Sequence, residues 1–146
     1  MNEITEFWNQ RYTEKGYTYG EEPNDFLAKT LASMTSGKIL FPAEGEGRNA
    51  VHAALMGWEV SAFDISHAGK EKATLLAKEK GVSIDYQVGE LDSLHYPKNH
   101  FDAIALIYAH FLGSQRSLIH QALWKLLKPG GTIILEGFSQ RHLTYQ

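Results

Sequence analysis

Short apolar runs alternate with amphipathic segments along this chain, and that alternation predicts an α/β fold, a doubly wound and mostly parallel sheet. Three stretches carry the prediction. Residues 38–49, KILFPAEGEGRN, read as a buried strand, a tight turn of small residues and the start of a helix. Residues 101–108, FDAIALIY, have the near-continuous apolar character of a central strand covered on both faces. Residues 132–136, TIILE, form a last strand behind a Lys-Pro-Gly-Gly turn. Helical patterns separate the strands, as right-handed parallel crossovers require.

The opening segment is rich in aromatics. A helix over residues 5–15 places Phe7, Trp8, Arg11 and Tyr12 at three- and four-residue spacing, and Gly16 ends it. Phe7, Trp8, Tyr12, Tyr17 and Tyr19 either cover the core or, one or two of them, close over a ligand. Asn24 is placed to cap a helix reaching Met34 that buries Phe26, Leu27, Leu31 and Met34. Residues 1–37 are thus a helical cap and 38–146 the core of a single domain, 1–146.

Within that core, strand residues Ile39, Leu40 and Phe41 lead through the turn Ala43-Glu44-Gly45-Glu46-Gly47 to a helix over 48–56, with Gly57 at its left-handed end. A second strand, 60–63, delivers Asp64, and Ser66 caps a helix that turns Ala73, Leu76 and Ala77 inward and closes at Gly81. Alternation over 82–88 gives a third strand ending near Glu90 and Leu91. After the fourth strand, a helix over 114–127 carries Leu118, Ile119, Ala122, Leu123 and Leu126 on one side, and residues 128–131 turn into the fifth strand.

Composition narrows the function. With 146 residues, a net charge of -3 and Lys and Arg scattered without a stripe, neither nucleic acid nor an anionic membrane surface is an expected partner. The absence of cysteine excludes disulfides, thiolate metal sites and cysteine nucleophiles. No run has the length of a membrane span and residues 1–10 lack signal-peptide character, so the expected location is cytoplasmic. No histidine pair shows metal-ligand spacing, so no metal is expected.

Ligands of doubly wound sheets bind beyond the carboxyl ends of the strands. On that rim the sequence gathers the small-residue turn, Asp64, Glu90 and the pair Tyr108 and His110. Small residues let backbone approach a ligand, the helix start offers unpaired N–H groups, and an acidic residue ending the second strand accepts both hydroxyls of a ribose. Gly45-x-Gly47-x-x-Ala50, with Asp64 about 20 residues on, also satisfies the dinucleotide fingerprint. An NAD(P)-binding oxidoreductase domain is therefore the rival reading. Glu44 and Glu46 speak against it, because two carboxylates repel a pyrophosphate and accept a cation.

FWNQRY, YGEEPNDFL, AEGEGRNAV, FDIS, VGEL, FDAI and LKPGGTIILE together resemble class I S-adenosylmethionine-dependent methyltransferases, most closely the group similar to tellurite-resistance and thiopurine methyltransferases. The resemblance implies a Rossmann-like methyltransferase fold that lacks the family's last strands. It implies that Ala43, Glu44, Gly45, Glu46 and Gly47 wrap the methionine part of S-adenosylmethionine. By the same resemblance Asp64 holds the ribose, Glu90 with the Leu91 backbone meets the adenine amino group, Ile107 and Tyr108 border the sulfonium, and Asn49 and Ile65 are further cofactor-binding residues. Where the family often has an acid on strand one, this chain has Phe41 and then Pro42, and Ala43 replaces the first glycine.

Methyl transfer to a small acceptor such as a thiol or chalcogen oxyanion needs positioning more than a strong base. Tyr108 and His110 are the catalytic candidates; His110 is a base or a hydrogen-bonded wall residue. A cofactor-binding but inactive truncated module is a third reading. An uncovered fifth strand is expected to self-associate through its open edge.

Overall fold

The computed structural model describes residues 3–13, 21–107, 109 and 116–137. Among them five strands form one parallel sheet in the order β3-β2-β1-β4-β5. β1 is Lys38–Pro42, β2 Glu59–Asp64, β3 Asp85–Val88, β4 Phe101–Ile107 and β5 Leu127–Glu136. The chain runs outward from β1 through β2 to β3 and then returns to the other side of β1 as β4. The switch in strand order therefore lies between β1 and β4, and the turn that leaves β1 opens onto it.

Side chains of β1 alternate between two cores, as a strand covered on both faces demands. Ile39 and Phe41 join Leu27, Leu31, Ala53, Val60, Ala103 and Ile134, which brings α2 (Asp25–Ala32) and α3 (Arg48–Leu55) onto one face. Leu40 faces the other way with Phe63, Phe101, Ile104, Leu106, Leu123 and Leu126, under α5 (Arg116–Trp124). α4 (His67–Lys80) packs Leu76 and Ala77 against Val51 of α3. α1 (Glu3–Thr13) lies against α4. As expected, Asn24 Oδ1 accepts from Leu27 N–H at 3.0 Å and Ser66 Oγ from Gly69 N–H at 3.0 Å.

Several expected boundaries move, each for a local reason. β3 begins at Asp85 rather than Val82, because Val82 N–H bonds back to Ala77 O at 3.0 Å while Val82 and Ile84 pack on the end of α4. The alternation read as strand is in part the apolar contact that closes a helix. α2 stops at Ala32, where Ser33 and Met34 bond to the carbonyls of Thr30 and Leu31 in a tighter last turn, and Phe26 is exposed rather than buried. α5 ends at Trp124, short of Leu127, since Leu127 already pairs with Phe101 of β4.

The Lys-Pro-Gly-Gly segment lies within the span of β5, not ahead of it. Phe101 pairs with Leu127 and Ala103 with Thr132, so residues 128–131 bulge out beside the single residue Asp102. Pro129 has no N–H for the ladder, and Gly130 takes a φ of +81°, which suits that excursion. Asp102 uses its position to accept from Lys38 N–H at 2.8 Å and from Lys128 Nζ at 3.1 Å, clamping the starts of β1 and β5. β5 has no second neighbour among the described residues, and Leu135 on it is 61% exposed.

Gly47 sits between the β1 turn and α3 with a φ of +90°, and a Cβ there would lie 2.5 Å from the Cβ of Ala73 on α4. Gly47→Ala therefore combines left-handed strain with overpacking, and a loss of about 2–4 kcal/mol is expected in urea unfolding. A loss within measurement error would mean that α3 and α4 are free to separate.

Candidate functional site

The site begins where β1 runs out of residues that can extend it. Pro42 ends the strand and Ala43 reverses the chain at a φ of +52°, a left-handed conformation that costs an L-residue roughly 1–2 kcal/mol. Strain of this kind persists only where surrounding bonds fix it. Glu44 N–H donates to Phe63 O at 3.1 Å, Gly45 N–H to Asp64 Oδ2 at 2.9 Å, and Tyr86 OH to Gly45 O at 2.5 Å. β2 and β3 thus hold the turn through both backbone and side chains. The turn is braced from β2, while Phe41 of β1 is given fully to the core.

Asp64 is 8% exposed, and burial raises its pKa against the opposing pull of the Gly45, Ser66 and Ile65 N–H groups. Its Oδ1 accepts from Ser66 N–H at 3.1 Å, and its carbonyl accepts from Gly89 N–H at 2.9 Å. Each carboxylate oxygen meets a backbone N–H of this kind and, with about two lone-pair sites per oxygen, the group retains acceptor capacity for a ligand hydroxyl. Gly89 brings Glu90 to the same rim, where Glu90 is exposed and starts the single 3-10 turn Leu91–Ser93. Ile65 and Leu91 are partly buried beside them.

The two glutamates of the turn differ. Glu46 is 5% exposed and forms an ion pair with Lys72 of α4 at 2.9 Å. Glu44 has no ion pair among the described residues; its Oε2 accepts from Ala50 N–H at 2.6 Å, and Asn49 N–H also bonds to it. Burial pushes its pKa up to about 8, against the lowering effect of those N–H groups and of Arg48. The first N–H groups of α3 are therefore taken by the chain's own carboxyl, and a pyrophosphate would have to displace it.

Asn49, buried at 5% exposure, accepts from Asn24 N–H at 2.8 Å. Asn24 Nδ2 in turn donates to Glu136 Oε1 at 2.9 Å, so one asparagine joins the cap of α2, the start of α3 and the end of β5. On the other flank Asn9 of α1 accepts from Ser66 Oγ at 2.6 Å and Ala68 N–H at 3.2 Å, latching α1 beside Asp64. Sequence reading gave Asn24 only its cap and missed Asn9, Tyr86, Lys72 and Glu136. Their partners lie far away in sequence, and no spacing rule reaches them.

Ala43, Glu44, Gly45, Glu46, Gly47, Asn49, Asp64 and Glu90 are thus gathered on the carboxyl rim of β1, β2 and β3. Ile107 ends β4 in register with Glu136. Tyr108 and His110, like Tyr17, Tyr19 and the side chains of Trp8 and Tyr12, lie outside the described residues. No group of three or more potential metal ligands occurs among the described residues, and no helix there is long and apolar enough to cross a membrane.

A family model described as a methyltransferase domain matches residues 42–135. A ubiquinone biosynthesis O-methyltransferase of Alkalilimnicola ehrlichii is 30% identical over 125 residues, covering 83% of this chain and 49% of that protein. A tRNA 5-carboxymethoxyuridine methyltransferase of Escherichia coli K12 is 30% identical over 115 residues, covering 75% of this chain and 44% of its own. The crystal structure of a Pyrococcus horikoshii protein superposes with a TM-score of 0.71 at 27% identity, over 82% of this chain and 54% of that one. The chain spans about half the length of the curated relatives it matches.

Glu44 gives the site a pH signature. Its carboxyl ionises near 4.5 when solvated and near 8 in the fold, so between these values the folded state holds a proton that the unfolded chain has lost. The contribution is complete at the acid end and disappears as pH rises through about 8. Glu44→Gln keeps a carbonyl for the α3 N–H groups and removes the titration. The thermal midpoint of the parent relative to this variant is expected to fall as pH rises from 5 to 8. Parallel profiles would show that Glu44 ionises normally.

Proposed function

Because the chain belongs to the family of S-adenosylmethionine-dependent methyltransferase domains, we propose that its rim binds that cofactor and directs its methyl group to a small acceptor. The observation that carries this reading is the acidic turn at the switch in strand order, closed to phosphate by Glu44 and tied to the one aspartate that ends β2. When bound, the cofactor supplies an electrophilic methyl on a sulfonium. The chain's part is binding, orientation and exclusion of water.

In this reading the free acceptor positions of Asp64 take the ribose hydroxyls, Glu90 with the Leu91 backbone takes the adenine amino group, and the turn wraps the amino-acid end. Ile107, at the end of β4, borders the sulfonium. Its fit rests on the donor set: carboxylates face hydroxyls and a cation, and apolar Ile65, Leu91 and Ile107 flank them.

The acceptor is proposed to be a small molecule, with a thiol or chalcogen oxyanion as the first class to try. A net charge of -3 without a basic stripe favours this over RNA, although one relative carries a tRNA methyltransferase name. Methyl transfer assayed over thiols, oxyanions, quinol-like hydroxyls and tRNA would assign the class; methylation of tRNA alone would overturn the small-molecule reading.

Calorimetry with S-adenosylhomocysteine and with NAD separates the two cofactor readings, and only the first is expected to bind. Asp64→Ala is expected to weaken that binding by about 1.5–3 kcal/mol. It also leaves Gly45 and Ser66 N–H groups without their acceptor, so a parallel loss of stability is expected in denaturant. Glu90→Ala, at an exposed position, should weaken binding less and leave stability unchanged. Tight NAD binding with no response to S-adenosylhomocysteine would reverse the assignment.

A further inference from the structure

We propose that Glu44 is the charge partner of the cationic amine end of the bound cofactor, and that its carboxyl gives its proton to solvent as that end docks. The inference rests on the methyltransferase reading and adds to it a residue role and a proton. It starts from the inequality of two glutamates one residue apart. Glu46 has its cation within the chain, Lys72 at 2.9 Å, whereas Glu44 has only N–H donors of the α3 start and no ion pair among the described residues.

A carboxyl is a costly choice for a helix cap in a partly buried place. α2 and α4 are capped by neutral side chains, Asn24 and Ser66, which satisfy the same kind of N–H without burying a charge. At the α3 turn a neutral acceptor would serve equally well in the empty protein. The carboxyl becomes advantageous only when a cation arrives, because charge pairing then offsets the desolvation that keeps it protonated.

The groups around it are consistent with that vacancy of charge. Arg48 of α3 lowers the Glu44 pKa, but its guanidinium is directed to Glu22 O at 3.3 Å, and Asp64 of β2 raises it. Glu46 is turned to Lys72 on α4, and Glu136 of β5 is bonded to Asn24. In the absence of ligand, burial holds the Glu44 pKa near 8. An ammonium group beside it reverses the balance, and the O–H bond of the carboxyl breaks with its proton going to buffer.

Calorimetric titration of the parent protein with S-adenosylhomocysteine in buffers of different ionisation enthalpy, at pH about 6.5 where the ligand amine is already protonated, reads that proton directly. Nearly one proton released per ligand is expected, with affinity rising about tenfold per pH unit from 6 to 7. Glu44→Gln is expected to bind with little proton release and a flat pH profile. Binding by the parent with no proton exchange would overturn the proposal, as would equal release by the variant. Should the variant fail to fold, the buffer series on the parent still decides. Absence of any heat with S-adenosylhomocysteine and S-adenosylmethionine would remove the cofactor reading itself, and this role with it.

Discussion

The carboxylate of Asp64 is the joint on which the site depends. One oxygen holds Gly45 N–H in the turn after β1, the other holds Ser66 N–H at the start of α4, and the same residue's carbonyl receives Gly89 from β3. Three strand ends are thereby fixed to one another by a single residue that is almost fully buried. A buried carboxylate is tolerable only when its lone pairs are met, and backbone N–H groups meet them at a fixed geometry. The left-handed Ala43 and the approach of α3 to α4 at Gly47 can persist because this joint removes the alternatives.

Around the joint the chain separates two tasks that one acidic turn could confuse. Glu46 is neutralised by Lys72 and so binds α4 to the turn, which is structural work. Glu44 stays without such a cation among the described residues and caps α3 from within. The anion site that a helix start normally offers is closed, and what the turn presents to a ligand is acceptor capacity. This distinguishes it physically from a pyrophosphate cradle, although the glycine spacing of the two is the same.

Much of this was legible in the sequence because it is local. Strand β1, the turn, the caps at Asn24 and Ser66 and the closing glycine Gly81 follow from apolar periodicity and from residues whose side chains act within one turn of themselves. The errors have a common cause, competition from contacts a few residues beyond the pattern. Val82 and Ile84 alternate like a strand but finish a helix, and Leu127 continues a helical stripe but is claimed by Phe101 of β4. Phe26 falls on the apolar spacing of α2, yet the core is filled by Leu27 and Leu31, and its ring stays outside. Of the candidate site, the gathering of the turn, Asp64 and Glu90 at the carboxyl ends of the strands could be read from the alternation of strands and helices. The supports could not, because Asn24 to Glu136, Tyr86 to Gly45 and Asn9 to Ser66 are long-range pairs of ordinary polar residues.

A crystal structure of the protein with S-adenosylhomocysteine tests most directly whether one aspartate both braces the turn and holds the ligand. The expected result is both ribose hydroxyls donating to Asp64, with the bonds from Gly45 and Ser66 N–H retained. A ligand seated away from the β2 end, or an Asp64 carboxylate that leaves Gly45 in order to reach the ribose, would contradict it.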